Sequence, residues 1–326
     1  MNRILLIILM LTCYSAAWSQ NLKFHENGEF KIVQFTDIHY NGTDKAKEAL
    51  DCIDSVMKKE LPDLVVVTGD ILWGKPAKKN FLTVLNCLAK YGKPWVIEFG
   101  NHDFEEGLSN RELYDIARSV KNNILPDLSK EKELDFTLSI KQHDSNKTAT
   151  TLYLLDSHAY PKGFPEDKSH GTYAWLTFEQ VEWYRQQSNR ITTENGGKTI
   201  PALAFFHIPL PEYHEAAKDE NAGLIGTRRE EACSPIFNTG MFTAMLEAGD
   251  VMAVFVGHDH DNDYAVMWHN ILLGYGRYSG GNTVYNHLPH GARVIILKEN
   301  RREFDTYIRE INGNCTNFTT YPTSWQ

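Results

Sequence analysis

Five short apolar runs in this chain stop at side chains that ligate metals, and that recurrence constrains the fold more than any other feature. FKIVQFT leads into Asp37-Ile38-His39, LVVVTG into Asp70, and WVIEFG into Asn101-His102-Asp103. ALAFF leads into His207, and VMAVFVG into His258-Asp259-His260. Runs rich in β-branched and aromatic residues with a polar stop predict buried strands. Parallel strands share a direction, so residues just beyond their ends collect along one sheet edge, where open α/β folds carry their sites. Carboxylates, an amide and imidazoles gathered there form a cage for two divalent cations.

Helical spacing fills the intervals. It predicts helices over 45–59, through Ala49, Cys52, Ile53, Val56 and Met57, over 80–91, and over 109–120 with Ser109 as N-cap. A helix from Thr177 to residue 189 is expected to offer Phe178, Val181, Trp183 and Tyr184 as its apolar face, and another spans 238–248. This is βαβ alternation, hence an α/β fold. Segments 135–141 and 150–156 read as a hairpin closed by the polar loop HDSNKT, and several strands follow His258 to about residue 307. Segment 161–173 is polar and rich in Pro and Gly, as a surface loop would be. The connection 209–235 has little periodicity, and one that long beside a site is more often functional than idle.

At 326 residues the chain is near the size where one core stops growing. Lys and Arg total 33 against 42 Asp and Glu, a net charge of −9, which argues against nucleic-acid binding through a basic surface. Any phosphate-bearing ligand must be drawn by local cations. The N-terminus places Arg3 before an apolar core over 4–11 and small residues up to Ala17-Trp18-Ser19, the order of a secretory signal peptide. The run is shorter than the roughly twenty apolar residues a membrane anchor needs. Expected are a signal at 1–19, one domain over 20–326, and export to the periplasm or medium with no membrane insertion afterwards. Cys52, Cys87, Cys233 and Cys315 then remain, and four cysteines allow three pairings. Cys52 and Cys87 fall on predicted helices, which leaves core residues or a bridge open; no CxxC marks a structural zinc site.

Each ligand alone has an ordinary reading: Asp70 as a turn former, Asn101 as a left-handed residue, His207 as a satisfied polar group. In order, however, Asp37-Ile38-His39, Gly69-Asp70, Gly100-Asn101-His102-Asp103, His207 and Gly257-His258-Asp259-His260 resemble the motif series of the calcineurin-like metallophosphoesterases. AFFHIPLPEYHE with GTRREEACSPIFNTGMF, and LLGYGRYSGGNTVY with GARVIIL, resemble its purple-acid-phosphatase-related branch. One position departs from that branch. Purple acid phosphatases carry a tyrosine ligand three residues after the bridging aspartate, and Trp73 stands there. Indole does not ligate iron as phenolate does, so the purple charge-transfer band should be missing and His39 would fill that position.

The resemblance implies a four-layer αββα sandwich, two mixed β-sheets flanked by helices. It implies that Asp37, His39 and His260 hold one metal, Asn101, His207 and His258 a second, with Asp70 bridging. Such ligands suit iron, manganese or zinc without choosing among them. The implied reaction is phosphoester hydrolysis by hydroxide held between metals about 3.5–4 Å apart, with no covalent intermediate. His102 would protonate the leaving oxygen or neutralise phosphoryl charge, and Asp103 would orient it.

Asn101, His102, Arg228, Arg229 and Tyr275 are the expected substrate contacts, with Tyr40 and Arg277 also lining the cleft. The two arginines remain open between a phosphate clamp and a solvated charge pair. Trp73 either floors the pocket or only packs, with packing preferred; Asp259 is expected to face away from the metals, and His158, His170 and His214 to lie on the surface. The expected partner is a small phosphoester, a monoester scavenged outside the cytoplasm. Alternatives are a phosphodiesterase acting on nucleotides or lipid head groups, and a silent metal- or phosphate-binding protein.

Overall fold

In a computed structural model, described over residues 22–163 and 169–326, the β-branched runs pair into two sheets. The segment read as a signal and part of the 161–173 loop lie outside those residues. The first sheet contains β1 (Glu29–Phe35), β2 (Leu64–Thr68) and β3 (Trp95–Glu98). It is completed by β10 (Gly291–Lys298), β11 (Phe304–Glu310) and β12 (Cys315–Tyr321). The second contains β4 (Phe136–Lys141), β5 (Thr148–Leu154), β6 (Ala202–Phe205), β7 (Val251–Val256), β8 (Ala265–Trp268) and β9 (Ile271–Tyr275).

The strand orders are β12-β11-β10-β1-β2-β3 and β4-β5-β6-β7-β9-β8. β1, β2 and β3 run parallel, as do β5, β6, β7 and β9, while the remaining pairings are antiparallel. Both sheets are therefore mixed.

Strand periodicity distributes side chains between two cores. Leu152, Leu154, Leu203 and Phe205 enter the core shared with the first sheet, together with Val65, Val67 and the apolar faces of α1 (Lys47–Glu60) and α2 (Ala77–Ala89). Tyr153, Leu155, Ala202, Ala204 and Phe206 point the other way. Their core lies under α4 (Phe178–Glu194), α5 (Pro211–Ala216) and α6 (Met241–Ala248). With α3 (Asn110–Arg118) packed on α2, the layers run helix, sheet, sheet, helix.

Several local expectations are corrected. On α4, Val181, Trp183 and Tyr184 pack on the core as expected, but Phe178 is 73% exposed and the buried side is also polar: Tyr184 and Ser188 donate to the Asp250 carboxylate and Gln180 binds Asp135. The 209–235 connection carries α5, opened by Pro211, and bridges Ile225 to Ala265 and Arg228 to Asn262. Gly240, at φ 89°, delays α6 until Met241. β12 is a last strand that the sequence reading missed. Cys52 and Cys87 are buried core residues, and all four described cysteines are free thiols. Among the described residues no helix is long and apolar enough to cross a membrane.

Candidate metal centre

β1, β2 and β3 deliver Asp37, Asp70 and Asn101 just past their C-terminal ends, and β6 and β7 deliver His207 and His258. The loops there are unusually bent. Asp37, His39, Asp70 and His258 have φ values of 51°, 45°, 50° and 80°. Left-handed backbone costs a non-glycine residue about 1–2 kcal/mol, and such strain collects at functional sites. Gly69, at φ 84°, lets the strand-end loops close: a Cβ there would lie 2.5 Å from the Gly100 nitrogen and 2.6 Å from His207 Nδ1.

Two buried groups of donor atoms result, Asp37 with His39 and His260, and Asp70 with His207 and His258. Asp70 Oδ2 lies 3.6 Å from His39 Nε2 and 3.2 Å from His207 Nε2, so one oxygen faces both groups. His39 Nε2 and His260 Nε2 are 3.1 Å apart, and His260 Nε2 is 3.6 Å from Asp37 Oδ1. Backbone carbonyls set two tautomers: His207 Nδ1 donates to Thr68 O at 2.8 Å and His260 Nδ1 to Tyr285 O at 2.9 Å. Each leaves Nε2 with its lone pair facing the centre. The carboxylates are also pinned, Asp37 by the His258 N–H and the Thr36 hydroxyl, Asp70 by the His102 N–H at 2.8 Å.

Two donors, Asn101 Oδ1 and His258 Nε2, are buried without a hydrogen-bond partner, and His207 Nε2 meets the Asp70 carboxylate at 3.2 Å. Orphaned buried acceptors are costly, and cations would satisfy them. With two carboxylates and four imidazoles around them, the donor set fits a pair of cations of the iron, manganese or zinc type.

The electrostatics agree. Burial takes His39 and His258 down to about 3 against the pull of Asp70, which leaves both rings neutral donors. Burial would raise Asp37, but the His260 hydrogen bond and the His207 charge bring it to about 2. His207 is lowered by burial and raised more strongly by Asp70, to about 10. A cation at that point would displace its proton.

His102 lies beside this group, its ring 5.6 Å from that of His39. Asp103 does not orient it. The Asp103 carboxylate accepts N–H bonds from Asp70, Ile71, Leu72 and Gly100, which clamps the loops after β2 and β3 together. Burial and neighbouring Asp70 push Asp103 up to about 7. His102 Nδ1 instead meets Glu105 Oε2 at 2.8 Å, a residue the sequence reading missed. The signal available was its position one turn after His102, whose carbonyl accepts the Glu105 N–H.

The expected substrate contacts are mostly placed elsewhere. Tyr275 is fully buried and donates to Asp259 Oδ2 at 2.6 Å, because the glycine-flanked segment is strand β9 and not a loop at the cleft. Asp259 thus faces away from the donor groups. Arg277 is buried in an ion pair with Asp263. Arg228 donates to Ala217 O and Arg229 to His287 O; with Asn262 and Glu230 they brace the loop that carries His258 and His260. Tyr40 is buried beside Leu72.

Trp73, read as a pocket floor or, with preference, as a packing residue, stands edge-on to His102 at 4.6 Å and to His39 at 5.5 Å. Two further aromatics were missed: Tyr173 edge-on to His258 at 4.3 Å and Tyr285 stacked on His260 at 4.6 Å.

Comparison with known proteins gives this geometry its relatives. The pattern described as calcineurin-like phosphoesterase matches residues 30–262. The chain is 29% identical to "Probable inactive purple acid phosphatase 14" of Arabidopsis thaliana, over 90% of this chain and 82% of that protein. It is 30% identical to "Phosphatase DCR2" of Saccharomyces cerevisiae, over 91% of this chain but 56% of that protein. A dimetal phosphatase from Danio rerio has a similar fold, with a TM-score of 0.62 at 14% identity, covering 89% of this chain and 98% of that one. Matched over most of its length, with both sheets and their strand-end loops inside or beside the matched region, the chain belongs to the calcineurin-like phosphoesterase family.

Proposed function

We propose that the protein is an exported phosphoesterase that hydrolyses small phosphate monoesters at a two-cation centre. One observation carries this reading: the buried groups Asp37, His39, His260 and Asp70, His207, His258 share Asp70 and stand beside His102, with Asn101 Oδ1 and His258 Nε2 left unpartnered. Two bound cations would supply Lewis acidity to the phosphoryl oxygens and to the attacking water. The chain does the rest. Asp70 would bridge the pair, and the two carboxylates among neutral donors would leave positive charge for a phosphate. His102, half-buried beside the Trp73 ring, would hold a proton at the leaving oxygen. Arg228 and Arg229 are engaged by carbonyls, so phosphate binding would fall to the cations and His102.

The presence of all these groups supports hydrolysis over silent binding, although the names of three relatives read "inactive". The order of residues 1–19, charge, apolar core, small residues, supports export, and N-terminal sequencing of protein recovered outside the cytoplasm would test it.

The enzymatic test pairs metal analysis with a panel of phosphate mono- and diesters, for wild type and His102→Ala. Monoester turnover that falls roughly 100-fold or more in His102→Ala is the expected result. Faster diester turnover would move the assignment to a phosphodiesterase. No turnover by either protein with iron, manganese or zinc would leave a binding protein.

A further inference from the structure

Two oxygens of one exposed carboxylate tie the reaction's acid to one of its metal-binding side chains. Glu105 Oε2 lies 2.8 Å from His102 Nδ1, and Glu105 Oε1 accepts the Tyr160 hydroxyl at 2.9 Å. The same Tyr160 oxygen accepts from Asn101 Nδ2 at 3.3 Å. A carboxylate only accepts, so the His102 proton must sit on Nδ1, which leaves Nε2 as the nitrogen open for chemistry. Similarly, a tyrosine hydroxyl that already donates to Glu105 can only accept from Asn101. That turns the amide nitrogen outward and the orphaned Oδ1 inward.

We propose that Glu105 and Tyr160 form a positioning relay, with Glu105 fixing the ring orientation and tautomer of His102 and Tyr160 fixing the amide of Asn101. The inference rests on the hydrolase reading for its catalytic consequence. Neither residue exchanges a proton with the substrate; they hold other groups still. The local backbone explains how they meet. The Glu105 N–H closes a turn on the His102 carbonyl, which puts both side chains on one side of the turn. Phe104 meets the Tyr160 ring edge-on at 6.2 Å, which holds the phenol over that turn.

The test uses the full zinc-loaded chain with Glu105→Leu, Glu105→Gln and Tyr160→Phe. An aryl leaving group such as 4-nitrophenolate departs without a proton, whereas an alkoxide needs one. Glu105→Leu is therefore expected to lower kcat for an alkyl phosphate by roughly ten- to a hundredfold more than for 4-nitrophenyl phosphate, with KM nearly unchanged. Glu105→Gln, which keeps an acceptor, should recover part of that loss. In nitrogen-detected NMR the His102 Nδ1–H signal, identified by its loss in His102→Ala, should disappear in Glu105→Leu and persist in Glu105→Gln. Tyr160→Phe should weaken one of the two zinc ions about tenfold and leave the other as in wild type.

Equal losses on the two esters, or an Nδ1–H signal that survives Glu105→Leu, would overturn the relay. Unchanged zinc titration in Tyr160→Phe would remove its Asn101 arm. Should the wild type hydrolyse neither ester, the hydrolase reading fails, and the NMR signal and zinc titration still judge the relay.

Discussion

Asp70 shows how much one side chain can be asked to do. Its Oδ2 faces a histidine of each donor group, at 3.6 and 3.2 Å, while Oδ1 accepts the His102 N–H. Asp70→Asn removes the charge and one acceptor while keeping the shape. Both cations should bind more weakly, each by at least the roughly 10- to 100-fold typical when outer partners of ligands are lost. Metal analysis at equilibrium checks this, and loss of one ion with the other fully retained would show that Asp70 does not bridge. The candidate ligands were legible because each follows an apolar run, a one-dimensional signal. Glu105 and Tyr160 were not, because 55 residues separate them and only the folded loops bring them to 2.9 Å. Tyr275 and Arg277 were misplaced for the opposite reason: their glycine-rich surroundings look like a cleft loop but form β9 and a buried ion pair.

Among the elements, α1 is tied to the first sheet through its last residue. Glu60 is 3% exposed and accepts from Lys31 Nζ at 3.1 Å, Tyr307 OH at 2.7 Å and Arg309 Nε at 2.5 Å. Burial would raise the Glu60 carboxyl, but those three donors outweigh it and hold it below its ordinary value of 4.5. A depressed folded value means stability that is present above the unfolded value and lost as pH falls through the folded one. Glu60→Gln should therefore cost about 2 kcal/mol at neutral pH and progressively less below pH ~4.5. Urea unfolding across a pH series measures it; a gap independent of pH would show that charge plays no part. Element reading worked where one force dominates. The strands of the parallel cores are apolar on both faces, and the capping box at Ser109 marks its helix start. It found α4 and its start at Thr177 but not the hydrogen bonds to Asp250 and Asp135 on its buried side, and it missed β12, whose CTNFTTY is too polar to look like a strand.

At the scale of the molecule, both sheets contribute to the centre. In the proposed assignment one cation takes Asp37 and His39 from the β1 side and His260 from the β7 side. The other takes Asn101 from the β3 side and His207 and His258 from the β6 and β7 sides. Each would then bind both halves, and ligands that prefer the folded state add about 2.7 kcal/mol at a hundredfold excess over Kd. Chelation should lower Tm by several degrees and speed hydrogen exchange first at the C-terminal strand ends. A Tm unmoved after verified metal removal would mean that the sheets hold together without the ions. The left-handed loops sharpen that dependence, since Asp37, His39, Asp70 and His258 hold a backbone conformation that is costly to non-glycine residues. On that reading, cation supply would ration durability as well as any turnover: copies stripped of their ions would fray open along this seam and fall to proteases.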